Sequence, residues 1–233
     1  MHYRPINDGR EVNINLNRVA ISCGFCDWFL VTQMSEPFMP GATTIGVVCK
    51  DGVVLASERR VSYGYFVQSK SGKKVFQITD RIGAACAGLV ADMQVLTKEV
   101  AAQLSVYSFE RDRAASVRSA AKVMANLLFE RRMFPYLAQT IVGGIDDDGP
   151  GLYVLDPLGS VIDDKFASVG SGSEIAVGVL EAEFKEAMTL EQAKELVKKA
   201  AKAALARDIG SGNGLDIMLI TKNGIKEEGE PLK

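Results

Sequence analysis

The chain has 233 residues, a hydrophobic fraction of 47%, a charged fraction of 24% and a net charge of −2. These are the proportions of an ordinary globular protein with length for one domain and its core, and they exclude the disordered, collagen-like and membrane-embedded classes. The near-zero charge also excludes the basic excess that a nucleic-acid partner requires.

Four cysteines over this length do not form a disulfide framework, so the expected compartment is the cytoplasm. Cys23-Gly24-Phe25-Cys26 is a lone CxxC. With His2 as the only histidine and no second CxxC, it lacks the four ligands of a structural zinc site, and no metal or other cofactor is expected. The apolar run over residues 19–31 carries Asp27 and falls short of the roughly 20 apolar residues that span a bilayer. It also lacks the basic start and the cleavage site of a secretory leader, so no membrane association is expected. Basic residues cluster at Arg59, Arg60, Lys70, Lys73 and Lys74, and a local role is preferred there over a polyanion site.

Residues 1–41 are polar to Arg18, then hold a short aromatic and cysteine-bearing run with at most one short element near residues 21–31. They end on Ser35-Glu36-Pro37-Phe38-Met39-Pro40-Gly41, where two prolines and a glycine punctuate the chain. They read as an appended segment. Strands are expected over 43–49 and 53–57, with Asp51-Gly52 as a primed two-residue turn because both residues tolerate positive φ. Further strands are expected over 65–68, 75–78 and 82–88. Met93, Leu96, Val100, Leu104 and Tyr107 then recur at helical spacing. After the charged break 110–113 a second helix carries Val117, Ala120, Ala121, Met124, Leu127 and Leu128 and is stopped by Pro135.

Strands return over 138–145, 152–155, 160–162 and 166–169. The triple aspartate 146–148 lacks the calcium-loop spacing and its terminal glutamate and reads as a solvated turn. A helix is expected over 174–185. Another opens at Thr189, where Gln192 completes a capping box and Ala193, Leu196, Val197, Ala200, Ala201 and Ala204 share one face. A polar loop, 208–214, leads to a strand over 215–221 and a short charged tail. The order of strands, two helices, strands, two helices, strand favours an α+β four-layer αββα sandwich over a doubly wound sheet, which would alternate strand and helix strictly.

Gly170-Ser171-Gly172, between a strand and a helix, could cradle a phosphate, but no GK[ST] follows it. A serine or cysteine triad has no base, because the single histidine lies in the appended segment. A free α-amino group can serve instead, since its unperturbed pKa is about 7.7–8.

That places the interest at Gly41. The motifs Gly41-Ala42-Thr43-Thr44-Ile45-Gly46, Asp51-Gly52-Val53-Val54-Leu55-Ala56-Ser57-Glu58-Arg59-Arg60, Gly72-Lys73-Lys74, Ala87-Gly88-Leu89-Val90-Ala91-Asp92, Gly143-Gly144-Ile145-Asp146, Gly170-Ser171-Gly172-Ser173 and Arg207-Asp208-Ile209-Gly210-Ser211-Gly212 run in order along the chain. Over residues 42–225 the chain resembles the archaeal-type 20S proteasome β subunit, a family of N-terminal-nucleophile threonine hydrolases with the αββα fold. The resemblance implies a propeptide-like segment over 1–41 and a β-type domain over 42–233, with self-cleavage between Gly41 and residue 42. Residue 42 would be the threonine nucleophile, Lys74 would lower the hydroxyl pKa, and Glu58 would orient that lysine. The Gly88 N–H would serve the oxyanion hole, Ser171, Asp208 and Ser211 would form a polar network, and Val61, Cys86 and Val90 would line an apolar specificity pocket.

The chain departs from the family at the decisive position, because residue 42 is alanine. Making Thr43 the nucleophile puts Gly41, Gly46, Glu58 and Lys74 one place out of register. Without the hydroxyl neither self-cleavage nor an acyl-enzyme can form, so the chain is expected to be inert and to keep residues 1–41. Two origins stay open: an engineered threonine-to-alanine trap, or a naturally silent subunit that completes a ring of active sisters. The resemblance further implies, as partners, other β subunits in a ring, proteasome α subunits capping it, unfolded polypeptide substrates, and a regulatory ATPase acting through the α ring. Arg111, Arg113, Arg131 and Arg132 offer surfaces for subunit contacts.

Overall fold

In strand β2 (Gly52–Glu58), Val53 and Leu55 enter one core and Val54 and Ala56 another, and all four are wholly buried. A strand buried on both faces needs an apolar layer on each side. Strand β6 (Ile82–Gly88) makes the same demand, with Ile82, Ala84 and Cys86 on one face and Ala85 and Ala87 on the other. The computed structural model, which describes residues 41–231, meets both demands with four layers.

One sheet joins β10 (Phe166–Val169), β1 (Thr44–Cys49), β2, β11 (Leu215–Thr221) and β12 (Gly224–Glu230), in that spatial order. The other joins β5 (Val75–Gln77), β6, β7 (Ala138–Asp146), β8 (Gly149–Leu155) and β9 (Val161–Asp163). All pairings are antiparallel, and a separate hairpin pairs β3 (Val61–Tyr63) with β4 (Phe66–Ser69). Helices α1 (Val90–Arg111) and α2 (Val117–Glu130) cover the second sheet through Met93, Leu96, Val100, Met124 and Leu128. Helices α3 (Ser173–Glu183) and α4 (Leu190–Leu205) cover the first through Leu180, Leu196, Val197 and Ala200. Between the sheets lie Val53, Leu55, Ile141, Leu152, Met218 and Ile220. The expected αββα order is therefore present.

The sheets meet where side chains are missing. A Cβ on Gly46 would stand 2.7 Å from Leu152 Cδ1 and 2.8 Å from Ile141 Cγ2, and one on Gly143 would stand 2.8 Å from Val53 Cγ1. The capping box at Thr189 forms as expected, with Gln192 N donating to Thr189 Oγ1 at 3.3 Å and Thr189 N donating to Gln192 Oε1 at 2.9 Å.

Several local expectations are corrected. Cys49 pairs with Gly52, so the β1–β2 turn is Lys50-Asp51, and neither residue has a positive φ; it is not a primed Asp51-Gly52 turn. Gly52 instead opens β2, where a Cβ would run into the Ile220 carbonyl oxygen of β11. Helix α2 ends at Glu130, where the Arg131 N–H turns back onto the Leu128 and Phe129 carbonyls, five residues before Pro135 could stop it. Strand β8 starts at Gly149, earlier than expected, with Pro150 paired to Ile145. That proline is tolerated because β9 pairs only with residues 153–155, which leaves β8 an edge at Pro150. Asp146 is more than a solvated turn residue: one carboxylate oxygen accepts from Asp148 N at 3.0 Å and the other caps α2 through Val117 N at 2.8 Å.

Two strands escaped the sequence reading. Strand β3 is only three residues long, and β12 is the segment that reads as a charged tail. A row of lysines on α4 covers β12, with Lys194 at 2.7 Å from Glu228 and Lys198 at 2.8 Å from Glu230. These partners hold Glu228 down at about 2 and keep Glu230 below the ordinary carboxylate range. The expected element near residues 21–31, the CxxC at Cys23 and Cys26, and His2 lie outside the described residues.

Gly52→Ala is expected to cost about 1–3 kcal/mol, the range for overpacking against a fixed neighbour. Lys50→Ala, in the exposed turn beside it, should stay within about 0.5 kcal/mol. Denaturant midpoints of the two variants check this, and equal midpoints would refute the close approach to β11.

Candidate active site

Residue 42 enters the fold at the seam between the two sheets. Ala42 is wholly buried in the inter-sheet core beside Ala87 and Val169, and Thr43 and Thr44 follow it at 1% and 0% exposure. The preceding Gly41 packs on the backbone of Gly210: a Cβ on Gly41 would stand 2.8 Å from the Gly210 carbonyl carbon. The chain is thus clasped on both sides of the Gly41–Ala42 peptide bond.

Polar groups surround that bond. The Ala42 N–H donates to Ser171 Oγ at 3.1 Å, and the Ala42 carbonyl accepts from Gly172 N at 3.2 Å. Ser171 Oγ donates to Asp208 Oδ2 at 2.7 Å, and Ser211 Oγ donates to the same oxygen at 2.5 Å. Because a hydroxyl has one proton, Ser211 can then only accept from Thr43 Oγ1, 2.7 Å away. The direction of the chain is therefore set: Thr43 to Ser211 to Asp208, with Ser171 arriving from the other side. Gly210 N donates to the second Asp208 oxygen at 3.1 Å, which ties the carboxylate to its own loop.

A second cluster holds the charges. Glu58 and Lys74 form an ion pair at 0% and 1% exposure. Lys74 Nζ also donates to the Arg60 carbonyl at 2.6 Å, and the other Glu58 oxygen accepts from Arg60 N at 2.6 Å and Gly212 N at 3.0 Å. Burial pushes the Glu58 carboxyl up against the opposing pull of Lys74 and its hydrogen bonds. Burial likewise pushes the Lys74 ammonium down, against the charges of Glu58 and Asp208. A lysine moved in that direction is easier to deprotonate, which suits proton transfer to and from a neighbouring hydroxyl.

Loop 208–214, between α4 and β11, joins the two clusters. Its Asp208 and Ser211 serve residues 42–43, while its Gly212 serves Glu58. Arg60 fastens the loop from outside, with Nη1 on the Ile209 carbonyl at 2.8 Å and Nε on Asn213 Oδ1 at 2.9 Å. The structure thus brings Ala42, Ser171, Asp208 and Ser211 into one network and Glu58 with Lys74 into the adjoining one.

Other predicted positions are placed less closely. Gly88 ends β6 at φ 135, where a Cβ would meet the Leu137 carbonyl. A Cβ on Gly170 would meet both the Ala42 carbonyl and, at 3.1 Å, the Ala87 Cβ, so the end of β6 comes close to residue 42. Val61 is buried at 8% exposure and Val90 is half-buried. Cys86 lies wholly enclosed in the core beneath α1 and α2, where Thr140 Oγ1 approaches its sulfur at 3.6 Å and burial pushes the thiol up to about 12. Arg59, Arg60, Lys73 and Lys74 each serve local partners: Arg59 Nε on Asp216 at 2.8 Å and Lys73 on Glu227 at 2.6 Å complete the set.

Sequence reasoning considered Thr43 only as an out-of-register nucleophile and Arg60 only as part of a basic cluster, and missed Asn213. Only the doublet Arg59-Arg60 beside Glu58 hinted at the Arg60–Asn213 contact.

Comparison with known proteins bears on this geometry. The family model described as proteasome subunit matches residues 39–220. The chain belongs to the proteasome subunit family. Proteasome subunit beta 2 of Caldivirga maquilingensis is 50% identical over 186 residues, 80% of this chain and 93% of that protein. Proteasome subunit beta 1 of Nitrosopumilus maritimus is 49% identical over 84% of this chain and 98% of its own length. Proteasome subunit beta 2 of Pyrobaculum calidifontis is 47% identical over 84% and 96%. The archaeal-type β-subunit resemblance is thereby shown, and with it the α+β sandwich of the N-terminal-nucleophile hydrolases. By family the chemistry is that of a threonine peptidase. No helix among the described residues is long and apolar enough to cross a membrane.

Removing one member of the buried pair strands the other. Lys74→Met is expected to cost about 3–5 kcal/mol at neutral pH. In the variant the Glu58 carboxyl loses its main counter-charge and rises further. A carboxyl raised in the fold retains its stability below its unfolded value, 4.5, and loses it as pH rises through the folded value. The deficit should therefore be small near about pH 4 and large near about pH 8. Melting temperatures of parent and variant at both values measure it; a deficit independent of pH would count against a stranded carboxylate.

Proposed function

We propose that this chain is a β subunit of the proteasome core particle whose own site is silent and whose residues 1–41 stay attached. The observation that carries the reading is the alanine methyl at residue 42, seated at the centre of an otherwise complete polar frame. Ser171 accepts from its N–H, Asp208 and Ser211 continue that network to Thr43, and Glu58 and Lys74 form the buried pair in the adjoining cluster. Every element suits a threonine: an amine to act as base once freed, a cation to hold down the hydroxyl pKa, and donors to fix the main chain. With a methyl group there, no oxygen can add to the Gly41 carbonyl, and no acyl-enzyme can form on a substrate. Val61 and Val90 would set an apolar specificity, and the Gly88 N–H the oxyanion hole, once residue 42 carries a hydroxyl; Cys86, enclosed in the core beneath α1 and α2, would shape that pocket only from behind.

A purely structural role is the second reading, in which the subunit completes a β ring beneath an α ring and residues 1–41 aid assembly. It draws support from the polar frame itself. Among the described residues no buried side-chain nitrogen or oxygen lacks a hydrogen-bond partner, so the network holds the fold together whether or not it catalyses. Unfolded polypeptides reaching the chamber, and a regulatory ATPase acting through the α ring, follow from either reading as partners of the whole particle.

Ala42→Thr separates the two. In assembled particles the variant should lose residues 1–41 by cleavage after Gly41 and gain hydrolysis of peptides with an apolar P1 residue, with intact mass and a fluorogenic peptide as readouts. Retention of residues 1–41 in well-assembled particles would sink the reading of a threonine site blocked only at residue 42 and leave the structural one.

A further inference from the structure

Loop 208–214 contains one more arrangement that neither cluster uses. Asn213 sits at φ 68, one of two non-glycine residues at positive φ among those described, and Gly214 follows at φ 124. Asparagine tolerates this left-handed conformation better than most residues, but the pair of turns is set by the loop and not by a regular element. Arg60 Nε donates to Asn213 Oδ1 at 2.9 Å. The guanidinium cannot swing away, because Nη1 is bound to the Ile209 carbonyl at 2.8 Å and the plane lies where a Cβ of Gly212 would stand. Gly214 is buried, yet its N–H donates to no group among the described residues. That N–H adjoins a side-chain amide whose oxygen is held by a fixed cation.

We propose that Asn213-Gly214 is a self-modifying site, at which the Gly214 nitrogen closes on Asn213 Cγ and Arg60 stabilises the oxyanion that forms on Oδ1. The Gly214 N–Cγ bond forms, and the Gly214 proton passes through solvent to the side-chain amino group. The Cγ–Nδ2 bond then breaks and ammonia leaves, giving a cyclic imide with no change in oxidation state. Water opens the ring at either carbonyl. Opening at Cγ gives aspartate; opening at the main-chain carbonyl gives isoaspartate, with one extra methylene in the backbone. A fixed donor aimed at a developing oxyanion is the device by which enzymes accelerate acyl transfer, here turned on the chain's own side chain. Either product places a carboxylate against the Arg60 guanidinium. The isoaspartate also lengthens the loop one residue from Gly212, whose N–H holds Glu58 at 3.0 Å. The proposal rests on this loop alone and is independent of what residue 42 does.

Asn223-Gly224, in the exposed β11–β12 turn, provides an internal standard, since among the described residues no arginine donates a hydrogen bond to its side chain. The full chain is incubated at mildly alkaline pH, folded and in guanidinium chloride. Peptide mapping by mass spectrometry follows the exchange of NH2 for OH at both asparagines, and isoaspartyl methyltransferase labelling identifies the isomer. The folded chain should convert Asn213 several-fold faster than the unfolded chain does. Arg60→Gln should lower the folded rate at Asn213 to the unfolded one while leaving Asn223 unchanged; where that variant loosens the fold, Arg60→Lys, which keeps the charge and lacks Nε, replaces it. A folded rate at Asn213 equal to or below the unfolded rate, or one indifferent to Arg60, overturns the proposal.

Discussion

The buried Glu58–Lys74 ion pair is the constraint around which the site is arranged. Two opposite charges withdrawn from water attract strongly, but the desolvation of each is costly and is offset only when the remaining donors and acceptors are also met. The Glu58 carboxylate therefore recruits the N–H groups of Arg60 and Gly212, and the Lys74 ammonium recruits the Arg60 carbonyl. Glu58, Lys74 and Gly212 lie on three different segments: the end of β2, the residue before β5, and loop 208–214. The pair can exist only when all three converge.

Convergence of that loop has a second effect. Once Gly212 is held, Asp208 and Ser211 fall beside residues 42–43, and one carboxylate oxygen collects the hydroxyls of Ser171 and Ser211. Electrostatics and backbone geometry are thus coupled through five residues of chain. An alanine at residue 42 leaves this intact, because the frame addresses the N–H and C=O of that residue and not its side chain. The frame therefore needs no side-chain oxygen at residue 42 to hold its geometry.

Much of the fold was legible because the apolar pattern was strong. The faces of α1, α2 and α4, the apolar run of β2 and the capping box at Thr189 each follow from local sequence, and the helices and most strands lie close to their expected bounds. Illegible pieces share a cause: their stability comes from partners distant in sequence. Strand β12 reads as a charged tail because its neighbours, the lysines of α4, lie about thirty residues away along the chain. Gly52 reads as a turn residue because the carbonyl of Ile220 that forbids a side chain there is invisible locally.

The same division holds for the site. By itself the sequence determined the layer order and the family, and it singled out Glu58, Lys74, Ser171, Asp208, Ser211 and the alanine at residue 42 as candidate site positions, since each is a matter of residue type and spacing. Only the tertiary structure decided that Glu58 and Lys74 are buried together and not an exposed pair, that Thr43 closes the hydroxyl chain to Asp208, and that Arg60 pins Asn213. Those facts depend on which backbone groups arrive from remote segments to satisfy a buried charge. Hydrogen-bond geometry and desolvation act across space, and a one-dimensional pattern carries no distance between residues 58, 74 and 212.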